Sequence, residues 1–164
     1  MRSMQIYLLR HGIAEDARPG QPDSERPLTG EGSEKLRRVL KRARSADLDP
    51  SLILSSPYRR AMETAAVAAE ILAYAGEIVR TRALVPEATP FDAWEEIRSR
   101  KTERSILLAS HEPLMSSMVS FLLDSPALRV DMKKAALVRI DCERFGPKAD
   151  GLLKWMLTPG VCLD

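Results

Sequence analysis

Two histidines stand at matched places in this 164-residue chain, and it has no others. His11 follows the apolar run Ile6-Tyr7-Leu8-Leu9 and sits in Arg10-His11-Gly12. His111 follows Ile106-Leu107-Leu108-Ala109 and sits in Ser110-His111-Glu112. Each run reads as a buried strand, and in open α/β proteins ligands bind beyond the carboxyl ends of the strands. Both imidazoles are therefore expected to face one crevice. Arg10 puts a fixed positive charge beside His11, and Gly12 is expected to let backbone pass close to a ligand.

A third strand-like run, Leu52-Ile53-Leu54, leads through Ser55-Ser56-Pro57 to a helix carrying Arg59 and Arg60. Only one of two adjacent arginines can point inward. Arg59 shares a helical face with Glu63, Ala66 and Glu70, an exposed face with an i,i+4 acidic partner. Arg60 lines up with Thr64, Val67 and Ile71, the packing face. A guanidinium turned inward at the first turn needs a partner, and an anion at the strand ends would supply one. Arg10, His11, Arg60 and His111 thus form a cluster of donors without the cysteine or carboxylate set a metal needs. Such a cluster suits a phosphoryl group, whose transition-state charge is met by positioned donors. A neutral imidazole is a competent nucleophile for it.

The elements that position these residues alternate. Strand Ile6 to Leu9 is followed by a long polar loop, Gly12 to Gly30, and by a helix from about Glu31 to Arg44 capped by Thr29. Strand Leu52 to Leu54 leads to an alanine-rich helix from about Tyr58 to Tyr74, with Pro57 at its start and Gly76 at its end. A strand-like segment, Ile78 to Leu84, precedes Val85-Pro86-Glu87-Ala88-Thr89-Pro90 and a helix from about Phe91 to Arg100. Strand Ile106 to Ala109 is followed by a helix from about Leu114 to Leu123. Ala136 to Cys142 and Leu152 to Leu157 form a closing hairpin-like pair. The reading is a three-layer αβα sandwich with a mostly parallel central sheet, in one domain spanning residues 1–164. Met115, Met118 and Leu122 make an apolar stripe for the core, and Trp94 and Trp155 are packing residues.

Composition narrows the function classes. Twenty-five basic and 23 acidic side chains leave a formal net charge of +2, which is no footprint for a nucleic acid. The basic residues Lys35, Arg37, Arg38, Lys41, Arg42 and Arg44 are threaded by Leu36, Val39, Leu40 and Ala43 at helical spacing, so they read as a solvated helix face. Cys142 and Cys162 belong to no Cys-x-x-Cys pair and fit a reduced, cytoplasmic setting. The run after Arg2 is interrupted by Arg10 and His11 before it could serve as a secretory core, and no stretch is long enough to span a membrane. Either Met1 or Met4 makes a reasonable start.

Leu9-Arg10-His11-Gly12, Arg26-Pro27-Leu28-Thr29, the stretch from Ser55 to Ala65 (SSPYRRAMETA) and Ser110-His111-Glu112-Pro113-Leu114 together resemble the histidine phosphatase superfamily. Within it they are most similar to the short SixA-type phosphohistidine phosphatases, whose fold is phosphoglycerate mutase-like. The resemblance runs from about Gln5 to Thr158. It implies that His11 attacks phosphorus in line, giving a phosphohistidine intermediate that water hydrolyses. Arg10, Arg60 and His111 would hold the phosphoryl oxygens, and no metal or organic cofactor is implied. Attack requires unprotonated His11, which nearby arginines favour by like-charge repulsion.

Two residues keep two readings each. Arg26 fits a contact with substrate phosphate or with an acidic partner surface, and equally a loop anchor. Glu87 fits the leaving-group acid, and equally a loop carboxylate in water or paired with an arginine. The implied substrate is phosphohistidine on a signalling protein of the histidine-containing phosphotransfer type, because an imidazole can leave without strong acid help. A phosphatase or mutase acting on small phosphoesters is the alternative, and a phosphate-binding module without turnover is the alternative of another class. Neither a nucleic acid nor a membrane is an expected partner.

Overall fold

The computed structural model describes residues 3–162; Met1 and Arg2, named above for the chain start, lie outside them. Four parallel strands form the frame, β1 (Met4–Arg10), β2 (Leu52–Ser55), β3 (Ile78–Arg80) and β4 (Ser105–Ser110). Two antiparallel strands, β5 (Leu137–Cys142) and β6 (Leu152–Leu157), extend it. The order across the six-stranded sheet is β3-β2-β4-β1-β5-β6. The helices are α1 (Gly30–Ser45), α2 (Arg59–Ile71), α3 (Pro90–Arg98) and α4 (Leu114–Leu122).

Alternation along β1 assigns the layers. Met4, Ile6 and Leu8 pack with Trp94 and Ile97 of α3 and with Leu114, Met115, Met118 and Leu122 of α4. Tyr7 and Leu9 face the opposite way, onto Leu36, Val39, Leu40 and Ala43 of α1 and Ala65, Val67, Ala68 and Ile71 of α2. Both faces of the central strands are covered, which is why β1, β2 and β4 read as unbroken apolar runs rather than alternating ones. Trp94 is fully buried and donates its indole N–H to the Gly146 carbonyl at 2.9 Å, and the Trp155 ring lies 5.8 Å from that of Tyr7. The basic residues of α1 form a solvated face: Arg37 pairs with Glu70 and Lys35 with Glu31.

Two elements end earlier than their sequence pattern suggests. Helix α2 stops at Ile71, ahead of the expected Tyr74 and Gly76. Ala73 takes the left-handed conformation (φ 52°). The Ala73 and Tyr74 amides then bond back to Glu70 and Ala69, a Schellman closure on a non-glycine residue. The Tyr74 hydroxyl, donating to the Glu77 carbonyl and accepting from Ile53 N–H, anchors that turn to β2. Strand β3 stops at Arg80 instead of Leu84, because the Thr81 side chain accepts the Ala83 amide and starts a 3-10 turn over Arg82–Leu84.

The long loop is a closed excursion. Ala14 and Leu28 form an antiparallel bridge, and the Thr29 amide bonds the Ile13 carbonyl at 2.9 Å. Thr29 also caps α1 by accepting from the Gly32 amide at 2.9 Å. At the loop's far end a 3-10 turn, Asp23–Glu25, returns toward α2. Among the described residues no helix is long and apolar enough to cross a membrane.

Candidate active site

Strand register sets the site. Arg10 of β1 pairs with Ser110 of β4, so the next residues, His11 and His111, emerge side by side with ring centroids 5.2 Å apart. Ser55 of β2 pairs with Ala109, which brings Ser56 to the other flank of His111, with Oγ 2.8 Å from Nε2. The first turn of α2 adds Arg60. All four residues expected from sequence are thus gathered, and His11, Arg60 and His111 are only 7%, 5% and 2% exposed.

The two imidazoles are held differently. His11 Nδ1 lies 2.7 Å from the Gly12 carbonyl oxygen, which can only accept, so Nδ1 carries the hydrogen. The Nε2 lone pair is left for chemistry, and its neighbour is Arg60 Nε, which donates to it at 3.3 Å. Burial lowers the His11 pKa to about 4, aided by the charges of Arg60, Arg10 and Lys134 and opposed by the Gly12 hydrogen bond. Burial likewise takes His111 down to about 3, with His11 and Arg60 contributing. Both rings are neutral at pH 7, as a nucleophile requires.

Arg10 donates from Nη1 to the Met132 carbonyl at 2.8 Å. Its Nε is buried without a partner, and so is Nδ1 of His111. Buried polar atoms are usually bonded, so two unpaired polar atoms in one cluster are available to partners supplied by a ligand. Tyr58 completes the wall: its ring meets His111 edge-on at 5.1 Å, and the Arg60 guanidinium lies 5.1 Å from its centroid. Among the described residues no group of three or more His, Cys, Asp or Glu could hold a metal ion.

Sequence reading left Asp23 out. Its backbone carbonyl and its carboxylate accept from Arg60 Nη1 and Nη2 at 2.8 and 3.1 Å. The same carboxylate accepts from Arg26 Nη1 at 2.9 Å, and Arg26 Nε donates to the Glu15 carbonyl at 2.7 Å. Arg26 therefore holds Asp23, which holds Arg60. The hydrogen bonds of these two arginines hold the Asp23 carboxyl below its usual range. The available signal was the need of an inward Arg60 for an anionic partner. That partner comes from the chain itself, at the 3-10 turn of the loop.

Two further expectations change. The space above Gly12 belongs to α1, not to a ligand: a Cβ there would meet Leu36 Cδ1 at 2.8 Å and the Gly32 carbonyl oxygen at 3.1 Å. The Gly12 amide donates to Thr64 Oγ1 at 3.2 Å, and that hydroxyl donates to the Arg60 carbonyl at 2.7 Å, tying the end of β1 to α2. Glu87 is exposed and makes no hydrogen bond or ion pair with the described residues. Arg59 is exposed as expected, paired with Glu63 at 3.1 Å, and Glu63 in turn accepts from the Leu28 amide at 2.8 Å.

Known proteins resemble this chain in sequence and in fold. The family model for the histidine phosphatase superfamily (branch 1) matches residues 6–84. The phosphohistidine phosphatase SixA of Escherichia coli is 25% identical over 164 residues, covering 95% of this chain and 94% of that protein. An uncharacterized protein of Picosynechococcus sp. is 28% identical, covering 94% and 99%. A solved structure of the protein histidine phosphatase SixA complexed with tungstate superimposes with a TM-score of 0.82 at 24% identity, covering 96% of this chain and 98% of that one.

Proposed function

We propose that this chain, whose residues 6–84 match the model of the histidine phosphatase superfamily (branch 1) and which is similar to SixA along nearly its whole length, belongs to that superfamily and is a phosphatase working through a covalent phosphohistidine on Nε2 of His11. One observation carries this reading. A neutral, buried imidazole presents its lone pair beside Arg60, while its neighbours Arg10 and His111 hold unpaired polar nitrogens in the same cluster.

In the first step the Nε2 lone pair forms an N–P bond as the bond from phosphorus to the leaving group breaks. Arg10, Arg60 and His111 donate to the equatorial oxygens, where transition-state charge accumulates. In the second step water attacks phosphorus, the N–P bond breaks, inorganic phosphate leaves with the water oxygen, and His11 returns to its neutral form. The leaving group favoured here is the imidazole of a phosphohistidine. Protonated on its other ring nitrogen, that imidazole departs as a neutral molecule, whereas an alkoxide needs a positioned acid. Glu87, the one acid expected for that task, stands exposed and without a partner among the described residues, which supports the phosphohistidine reading. A phosphorylated protein of the phosphotransfer type is the proposed partner.

The test is a side-by-side assay of a phosphohistidine protein, free phosphohistidine and a panel of sugar phosphates. Turnover fastest on the protein, with radiolabel passing to the chain and lost in His11→Ala, is the expected result. Equal or faster turnover of sugar phosphates would move the substrate to small phosphoesters. Phosphoprotein binding without label transfer would leave only a binding module.

A further inference from the structure

The two histidines are neutral yet cannot be used in the same way, because their ring nitrogens meet different partners. His11 is fixed by a carbonyl oxygen at Nδ1 and turns its Nε2 lone pair to Arg60 Nε. His111 is fixed by a hydroxyl, which can either give or take a hydrogen, so its tautomer depends on Ser56 Oγ, 2.8 Å from Nε2. Ser56 is fully buried, and its Oγ already accepts the Tyr58 amide hydrogen at 3.2 Å. For the remaining hydroxyl hydrogen, His111 Nε2 is the acceptor present among the described residues. With Oγ–H given to Nε2, the ring's single hydrogen must reside on Nδ1, the atom that is buried and unpaired.

We infer that Ser56 is a positioning residue: its hydroxyl fixes the Nδ1–H tautomer of His111, so that His111 enters the reaction as a hydrogen-bond donor to the phosphoryl group. The consequence for phosphoryl transfer rests on the phosphatase reading above, but the tautomer does not. A donor at Nδ1 complements developing negative charge. The opposite tautomer would aim a lone pair at the same anion and repel it. Ser56 gains this control from strand register, since the β2–β4 pairing of Ser55 with Ala109 sets it beside His111. The Ser56 amide, bonded to the Ala109 carbonyl at 3.0 Å, holds the backbone there. Tyr58 adds a second constraint by lying edge-on to the same ring.

With two histidines in the chain, the test is direct. Long-range proton–nitrogen correlation spectra of protein labelled with 15N-histidine give two ring systems, assigned by comparison with His11→Ala. In the wild type at pH 7 both His111 and His11 are expected as the Nδ1–H form. Ser56→Ala is expected to convert His111 to a mixture or to Nε2–H while leaving His11 unchanged, and Ser56→Thr, which keeps the hydroxyl, to restore it. On the best substrate, kcat for Ser56→Ala is expected to fall about tenfold or more, with a smaller change in KM. A wild-type His111 in the Nε2–H form, or a tautomer indifferent to Ser56→Ala, overturns the inference. If Ser56→Ala fails to fold, the same spectra of Ser56→Gly take its place, with the same outcomes expected. Absence of turnover with the expected tautomers would sink the phosphatase reading and leave this inference standing.

Discussion

Arg60 reaches His11 with one nitrogen and Asp23 with the other two. Its Nε donates to His11 Nε2 at 3.3 Å, while Nη1 and Nη2 hold the Asp23 carbonyl and carboxylate. The arginine is thereby fixed on one edge and turned toward His11 on the other. Arg60→Lys keeps the charge but cannot bond His11 and Asp23 as one planar fork. Its kcat/KM is expected to fall about 10²–10³-fold, the usual loss for one transition-state donor, with phosphoprotein turnover as the readout.

Asp23 should separate orientation from stability. Its side chain is 58% exposed, and exposed ion pairs contribute about 0–1 kcal/mol. Asp23→Ala is therefore expected to leave the melting temperature nearly unchanged. Losing the grip on Arg60 should nevertheless lower kcat/KM on the order of tenfold. Arg26→Ala should move activity in the same direction by less, since it acts through Asp23. Equal activity in all three proteins would show that Arg60 holds its place without them.

Depressed imidazole pKa values set a sign for pH dependence. Unfolded histidines titrate near 6.5, and here burial takes His11 to about 4 and His111 to about 3. Below pH 6.5 the unfolded chain gains protons that the native state refuses, so stability should fall as pH drops from about 6.5 toward 4. Above that window the two rings contribute no slope. Urea unfolding at a series of pH values measures this, and histidine ring protons in NMR should titrate well below pH 6. A ring titrating at its ordinary value would break the argument for a neutral nucleophile set by burial.

Glu87 offers a discriminating substitution. A general acid contributes about 10²–10⁴-fold, so Glu87→Gln should change turnover of a phosphohistidine protein less than about threefold if this exposed carboxylate takes no part. A collapse on sugar or aryl phosphates that the wild type turns over well would instead establish an ester-cleaving role.

Gly32 should be intolerant for a packing reason. A Cβ on this α1 residue would run into the Ile13 carbonyl oxygen and backbone amide, a contact with backbone that no rotamer relieves. Gly32→Ala should lower the melting temperature and, because Ile13 follows Gly12, disturb His11 as well. Gly30→Ala, at a helix position with open space around it, is the control expected to leave both unchanged.

What the sequence by itself determined was the frame and the identity of the chemical groups. Strand–helix alternation follows from local apolar periodicity, and the site residues stand directly after the runs that become β1, β2 and β4 or in the first helical turn. The choice of Arg60 over Arg59 needed only helical phase. Tertiary structure decided what depends on distances between segments far apart in the chain. The register of β1 and β2 on β4 made neighbours of His11, His111 and Ser56. Folding of the loop back on α2 delivered Asp23 to Arg60, and the packing of α1 claimed the space above Gly12. Hydrogen-bond partners fixed which nitrogen of His11 is bare. Helix α2 ended at Ile71, closed by a left-handed Ala73 rather than by Gly76, because tertiary anchoring by Tyr74 outweighed local glycine preference. A pattern in sequence reports which face a residue turns, whereas the hydrogen-bond partner waiting there is set only when the strands and loops have closed around it.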